Sequence, residues 1–262
     1  MITAQLVKEL RERTGISMMD CKSALVEANG DIEKAIEVLR KKSVIKAEKK
    51  SSRETNEGVI LVGKTTEGDF IIEVNTETDF AAKDEDFQVF LSDLVTFCSE
   101  NNPKDLNALE DSYKDQLLEI IQKIGENIKI SYFEKISNEG GYIYSYLHTD
   151  KKLAALVKLD KDQPDLGRDI AMQISANNPL AISAEDINQE VIDKEKEIAL
   201  ATIEGEDKPE DIKEKIVMGK LNKFKQENSL IEQPFIKDPE QKIKDILDGA
   251  SVLSFARKKV GQ

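Results

Sequence analysis

Apolar residues over the first 40 positions recur with the spacing of an α-helix. In the last of three such segments they fall at i, i+3, i+4 and i+7, which is one face of a helix. These residues are Ile32, Ala35, Ile36 and Leu39. Thr3, Ser17 and Asp31 each precede one segment, and their side-chain oxygens can cap a helix N-terminus. The pattern predicts three short helices, whose core is too small to be stable without its neighbours.

The composition changes after Arg40. From there to Glu57 the chain is rich in basic residues and poor in apolar ones. The basic side chains are Lys41, Lys42, Lys46, Lys49, Lys50 and Arg53. Such a stretch is typical of a solvated linker rather than of a nucleic-acid-binding arm. We therefore predict a three-helix N-terminal domain over residues 1–42 and a linker over residues 43–57.

β-Prone runs begin at Val59. Residues 59–62 and 70–74 flank a turn-forming stretch, which predicts a β-hairpin. Helical spacing then predicts a helix that ends before Pro103. Its apolar face is Phe87, Phe90, Leu91, Leu94 and Cys98. Another helix is expected over residues 112–124, before Gly125.

A second unit follows that repeats part of the first. Three strand-like runs lie within residues 128–159, and a helix is expected after Pro164. Five residue types recur at a constant offset of 76 positions. They are Asp93, Ser99, Asn101, Asn102 and Pro103 in the first unit, and Asp169, Ser175, Asn177, Asn178 and Pro179 in the second. The offset indicates a duplication, so we predict two related α+β subdomains over residues 58–139 and 140–262.

Residues 186–226 carry two thin apolar stripes among many charged residues. The first stripe is Ile187, Val191 and Ile198, and the second is Ile212, Ile216, Val217, Leu221 and Phe224. A Gly-Glu-Asp-Lys-Pro stretch at residues 205–209 separates them. Two helices joined by a short turn form an antiparallel hairpin, and we predict one here as an insertion in the second subdomain. A final helix is expected over residues 241–247.

The charge of the chain favours a protein partner over nucleic acid. The net charge is −13, and 34% of the residues are charged. Such a surface repels nucleic acid unless a basic patch is segregated, so we expect a protein partner and no direct binding of nucleic acid. No apolar stretch reaches the roughly 18 residues of a membrane span, and the N-terminus lacks the features of a signal peptide. We therefore expect no membrane association and a cytoplasmic location.

The residue types that carry catalysis are sparse. His148, the single histidine, ends a predicted strand, where a polar turn residue is a simpler interpretation than a general base. Cys21 and Cys98 are too few for a zinc site and imply no disulfide framework. The sequence contains neither a phosphate-binding loop nor a dinucleotide-binding glycine motif. These observations predict a protein that is not an enzyme and that has no cofactor or metal.

Residues 75–83 combine hydroxyl, acidic and aromatic side chains at the point where a strand passes into a helix. Thr78 or Asp79 can cap that helix. Phe80 lies seven residues before Phe87, and this spacing favours a core position for its ring. An exposed ring beside a carboxylate would instead be typical of a binding hot spot.

Longer motifs, in order along nearly the whole chain, match one known family. They are residues 6–15 (LVKELRERTG), 18–22 (MMDCK), 28–31 (ANGD), 77–83 (ETDFAAK), 123–128 (KIGENI), and 229–235, where SL precedes QPF. Together they resemble bacterial elongation factor Ts. The resemblance implies a ubiquitin-associated-like N-terminal domain, two related core subdomains and a helical hairpin. It also implies guanine-nucleotide exchange on the GTPase elongation factor Tu during translation elongation.

The resemblance further implies which residues contact the partner. Thr78, Asp79 and Phe80 match the family motif that enters the GTPase domain near its magnesium site. Other matches in the N-terminal domain and at a family histidine are Leu10, Met18, Met19, Lys22 and His148. Many members continue past the position of Val260 into a helix that also contacts the partner, and the resemblance does not extend to that contact.

Two other classes of function stay open at this point. An adaptor without exchange activity would use the ubiquitin-associated-like domain alone to bind small protein modules. An enzyme would need a cleft of converging carboxylates with displaced pKa values, around His148 or elsewhere.

Overall fold

The computed structural model describes residues 2–203 and 209–262. The helices are α1 (Ala4–Thr14), α2 (Met18–Glu27), α3 (Ile32–Lys50), α4 (Asp79–Lys83), α5 (Glu85–Asn101), α6 (Leu106–Ile124), α7 (Pro164–Asn177), α8 (Gln189–Ala201), α9 (Glu210–Asn228) and α10 (Ile243–Ile246). The strands are β1 (Glu57–Lys64), β2 (Gly68–Thr76), β3 (Ile128–Ser137), β4 (Tyr142–Leu147), β5 (Leu153–Leu159), β6 (Pro234–Phe235), β7 (Asp238–Lys242) and β8 (Val252–Lys259). This mixture confirms the predicted α+β class. Among the residues described, no helix is long and apolar enough to cross a membrane.

Two three-stranded sheets organise the strands. The first has the order β1–β2–β3 and the second the order β4–β5–β8, while β6 and β7 form a separate pair. β1 and β2 are antiparallel, with Val59 opposite Val74 and Leu61 opposite Ile72, which confirms the predicted hairpin. β3 falls within the predicted bounds 58–139 of the first subdomain, and it pairs there with β2. Its strand-like run was grouped with those of the second unit, because strand composition does not identify the neighbouring strand.

The chain divides into two compact units. The first comprises residues up to 135 together with 147–153 and 258–262, and the second comprises residues 136–146 and 154–257. In the first, apolar residues of its sheet pack with α5 and α6 around Phe70 and Phe87. In the second, residues of β5 and β8 pack with α7 and α10. The finer division into an N-terminal domain over residues 1–42 and subdomains over residues 58–139 and 140–262 stays a prediction.

The three N-terminal helices form at the predicted positions. Thr3, Ser17 and Asp31 each accept a hydrogen bond from a backbone N–H three residues further along, which confirms all three caps. Their shared core includes the fully buried Leu10 and Leu25.

The linker predicted over residues 43–57 is wrong over its first half, because α3 continues to Lys50. Ser43 and Ala47 are buried and extend the i, i+4 series begun by Ala35 and Leu39. This face packs on α6. The small residues at positions 43 and 47 allow α3 and α6 to pack closely. Because lysines surround them, the sequence around these positions resembles a solvated linker.

The predicted helical hairpin is formed by α8 and α9. Ile187 and Ile192 pack with Phe224, whereas Ala199 and Ile203 pack with residues 216–221. The helices therefore run in opposite directions, as predicted. Ile198 and Ile212 of the predicted stripes are exposed, because a thin stripe determines the helix phase poorly. Most of the predicted turn lies at residues 204–208, outside the described residues.

The end of the chain is less helical than expected. The helix predicted over residues 241–247 is confined to α10. Lys242 still belongs to β7, which pairs with β6. The apolar run that begins at Val252 forms β8, the third strand of the second sheet.

Candidate functional site

The segment between β2 and α4 is fixed by a carboxylate. Thr78 caps α4, because its Oγ1 accepts a hydrogen bond from the Ala81 N–H at 3.2 Å. The same hydroxyl donates to Glu126 Oε1 at 2.7 Å, and the Thr78 N–H donates to Glu126 Oε2 at 3.0 Å. Hydrogen bonds to an ionised acceptor are stronger than neutral ones. Glu126 therefore holds the backbone where α4 begins.

The preceding residue is held in the same way. Glu77 Oε1 accepts a hydrogen bond from the Asn127 N–H at 2.6 Å and lies 3.4 Å from Arg53 Nη1. The Asn127 side-chain amide donates to the Arg53 carbonyl at 2.8 Å. Two consecutive residues before α4 are thus bonded to the segment 126–127, which restricts the orientation of the helix start.

Phe80 projects into solvent from this fixed helix start, with 80% of its surface exposed. The expectation that its ring extends the Phe87 core seam is wrong. Residues seven apart share a face only within one continuous helix, and the chain turns at Asp84, whose backbone is extended and which caps α5. Ala81 and Ala82 face the interior instead, so the small residues of α4 are buried and the aromatic one is outside.

Asp79 is paired within its own helix. Lys83 Nζ lies 2.7 Å from Asp79 Oδ2, and both side chains are largely exposed. The hydrogen bond from Lys83 lowers the pKa of Asp79, and the charge of Lys152 lowers it further. The same bond raises the pKa of Lys83. Asp79 is therefore ionised at neutral pH and paired with an exposed lysine.

His148 lies in the turn between β4 and β5, as predicted. Its N–H donates to the Leu153 carbonyl at 2.9 Å, and its Nδ1 lies 2.9 Å from Asp150 Oδ1. A backbone N–H and the His148 side chain both lower the pKa of Asp150. The ring is partly exposed, so the turn presents an imidazole whose orientation is set by a neighbouring carboxylate.

This turn is held against the first strand. The Ile60 N–H donates to the Lys151 carbonyl at 2.7 Å, and Lys152 Nζ lies 2.6 Å from Glu57 Oε2. α4 also packs on β1, so the turn and α4 lie against the same strand. The structure thus brings the segment with Phe80 and the turn with His148 to one region of the first unit.

The N-terminal residues implied by the resemblance divide into two groups. Met18 and Met19 are exposed, Met19 by 76%, and Lys22 is exposed as well. Leu10 was expected at the partner surface, but it is 0% exposed, since its side chain fills the core between the N-terminal helices. Val26, which the motifs did not point to, is exposed. Val26 lies at i+7 from Met19 and i+4 from Lys22, so helical spacing alone predicts that it shares their face of α2.

No group of three or more metal-binding side chains occurs among the described residues. Cys21 and Cys98 are buried and unpaired, and burial raises the pKa of Cys98 to about 12. A cavity of about 420 Å³ lies between the N-terminal helices and α5 and α6, and its lining includes neither His148 nor any residue of α4.

Comparisons with known proteins identify relatives across the whole chain. The family model for elongation factor TS matches residues 77–262. The chain is 44% identical over its full length to elongation factor Ts of Teredinibacter turnerae, of which it covers 91%. It is also 44% identical to elongation factor Ts of Hahella chejuensis, with 92% of that protein covered, and 41% identical to that of Nitratiruptor sp., with 93% covered. The matched range begins with the segment that carries Thr78, Asp79 and Phe80.

Proposed function

Because the chain belongs to the elongation factor Ts family, which serves translation elongation, we propose that it promotes the release of GDP from the GTPase elongation factor Tu. It acts by binding and makes or breaks no covalent bond. The observation that carries the proposal is the exposed Phe80 ring on a helix start fixed by Glu126. A rigid, exposed aromatic side chain is the kind of anchor that dominates protein interfaces.

The partner's nucleotide site explains why a small intrusion is enough. A GTPase holds GDP through backbone N–H groups around the phosphates and through Mg²⁺. Mg²⁺ demands near-ideal octahedral coordination, so a small displacement of the surrounding residues weakens it strongly. We assign Phe80 to wedging between elements of the GTPase domain and Asp79 to disturbing the magnesium and phosphate surroundings.

Exchange then follows from linkage between two binding equilibria. If the chain binds the nucleotide-free partner more tightly than the GDP-bound one, it weakens GDP binding by the same factor. Coupling between two sites is typically about 5- to 150-fold. GTP can then fill the vacated site, and the chain dissociates.

Contacts away from α4 supply binding free energy, which offsets the cost of displacing residues around the partner's magnesium site. We propose that Met18, Met19 and Lys22 on α2 bind the GTPase domain, within an N-terminal domain of residues 1–42. His148 is a second contact, on the same unit as Phe80. Thr78 is a further contact beside Phe80, and its cap and its bonds to Glu126 hold it in place.

The test is the release rate of a fluorescent GDP from elongation factor Tu, measured with excess unlabelled GDP. The full-length chain should accelerate release in a concentration-dependent manner. The double variant Asp79→Ala/Phe80→Ala should lose this acceleration, while Val89→Ala, which truncates another exposed apolar side chain of the same unit, should keep it. If the chain binds elongation factor Tu without accelerating release, the exchange proposal is wrong; binding by residues 1–42 alone would then support the adaptor interpretation.

A further inference from the structure

An acidic residue lies at the centre of the first sheet. Glu73 is on β2 and is only 2% exposed, between the fully buried Ile72 and Val74. A carboxylate is rarely buried to this extent unless it is paired and hydrogen-bonded. Neither the motifs nor the proposed contacts with the partner account for it.

The partners of this carboxylate come mostly from the end of the chain. Glu73 Oε1 accepts hydrogen bonds from the Gly261 N–H at 2.9 Å and from the Asn75 amide at 2.8 Å. Glu73 Oε2 lies 3.0 Å from Lys258 Nζ. Burial by itself raises the pKa of Glu73, but these donors together hold it below its ordinary value. The carboxylate is therefore ionised and fully engaged.

Lys258 is enclosed on the other side of the pair. Its Nζ lies 4.6 Å from the centroid of the Tyr132 ring on β3, and it bonds to the main-chain oxygen of Gln262. Only 15% of its side chain is exposed. Lys258 and Lys259 are the last residues of β8, and the ion pair with Glu73 joins the end of this strand to β2.

The same segment holds the turn that carries His148. The Val260 N–H donates to the Lys152 carbonyl at 2.9 Å, and the adjacent Lys151 carbonyl accepts the hydrogen bond from Ile60. The turn is therefore hydrogen-bonded both to β1 and to residue 260. Glu73 binds Lys258 and Gly261, which lie on either side of residue 260.

We infer that Glu73 is a positioning residue, whose buried carboxylate fixes residues 258–261 and through them the turn 148–152. It keeps the imidazole of His148 in place beside the α4 segment for docking. It does not touch the partner, because its side chain is enclosed by the chain itself. The effect on docking rests on the proposed exchange function, whereas the effect on local order does not.

The first experiment is amide hydrogen exchange on the full-length protein with Glu73→Gln. The amide is nearly isosteric, but it is uncharged and has one acceptor oxygen instead of two, so it cannot form the ion pair or accept from all three donors. Exchange at residues 258–262 and 147–153 should therefore become roughly tenfold faster, as loss of a charged hydrogen bond implies. Glu232→Gln is the matched control, because Glu232 also binds two lysines, Lys242 and Lys244, in the second unit. It should leave both segments unchanged.

Lys258→Met removes the same ion pair by replacing the lysine, and it leaves Glu73 unchanged. It covers the case in which Glu73→Gln does not fold, and it should loosen the same two segments. Unchanged exchange at both segments in a folded variant would overturn the inference.

The second experiment separates docking from nucleotide release. With Glu73→Gln, the concentration of chain that gives half-maximal GDP release should rise roughly tenfold, while the rate at saturation stays that of the wild type, because Phe80 and Glu126 are unaltered. A purely structural role would lower the folded fraction without changing this concentration, once it is corrected for active protein. Looser segments with normal half-saturation would reject the positioning role. If the wild type itself does not accelerate release, the proposed function fails, and hydrogen exchange still decides whether the ion pair fixes the turn.

Discussion

The two repeated helices, α5 in the first unit and α7 in the second, end alike but begin differently. Asn102 and Asn178, 76 positions apart, follow the two helices with left-handed backbone, φ 49° and 45°. The N–H of each bonds to the carbonyl four residues earlier, on Cys98 and Ile174. Asparagine tolerates this conformation better than most residues, and a proline follows each. The shared residues therefore encode how a helix stops.

The connections before the two helices differ. Before α7, the Tyr144 hydroxyl donates to Asp162 at 2.7 Å and accepts from the Gln163 N–H at 2.8 Å, so the loop is closed onto its own sheet. Before α5, the chain adds α4, which carries the exposed Phe80. The repeated residues therefore serve the structure of both helices, whereas the proposed interaction site lies in the part of the chain that has no repeat.

The largest effect on release should come from Phe80→Ala. Truncation of an interface hot spot costs about 2 kcal/mol or more, so release at a fixed concentration of chain should slow roughly 30-fold. Thermal stability should hardly change, because the ring is exposed. Val89→Ala serves as the control with an exposed apolar side chain. If Phe80→Ala and Val89→Ala slowed release equally, α4 would have no special role, and the difference between the connections before α5 and α7 would not explain exchange.

A smaller effect should follow from loosening the helix start. Thr78→Val keeps the shape of the side chain but removes the cap and the bond to Glu126, at a cost of about 1 kcal/mol, and should slow release about fivefold. Asp105→Ala removes the cap of α6, where Asp105 accepts from the Ala108 N–H at 2.8 Å. It should lower thermal stability but leave release unchanged. Slower release with both cap variants would indicate a general loss of stability instead.

The smallest effects on release should come from substitutions at the matching ends of α5 and α7, Asn102 and Asn178. Asn178→Gly relieves the left-handed backbone and should change stability by less than about 1 kcal/mol, in the stabilising direction. Asn102→Gly also loses the bond from Lys135 Nζ to Asn102 Oδ1, 2.6 Å long, and should destabilise by about 1 kcal/mol. Calorimetry measures both, and GDP release should be unaffected. A change of release with Asn102→Gly alone would mean that the helix end also contributes to exchange.

Local signals in the sequence were sufficient for most elements. The caps at Thr3, Ser17 and Asp31 and the β1–β2 hairpin depend on residues within a few positions of each other, and all are confirmed. The extension of α3 was missed because its buried face uses Ser43 and Ala47, which carry little hydrophobic signal. Packing on α6 stabilises that turn of helix, and packing is not a local property.

The candidate site was only partly predictable. Motif resemblance indicated residues 77–83, but exposure of Phe80 depends on the chain turning at Asp84. Leu10 belongs to a matching motif and is nevertheless core, since a motif records packing as well as contact. The role of Glu73 could not be foreseen, because its partners Lys258 and Gly261 are more than 180 positions away.

The most direct test of the central claim, that Phe80 couples binding of the chain to loss of GDP, is the affinity of elongation factor Tu for GDP with and without saturating chain. The wild type should weaken GDP binding roughly tenfold or more. Phe80→Ala should still bind nucleotide-free elongation factor Tu but leave the GDP affinity nearly unchanged. Coupling of wild-type strength in Phe80→Ala would contradict the account.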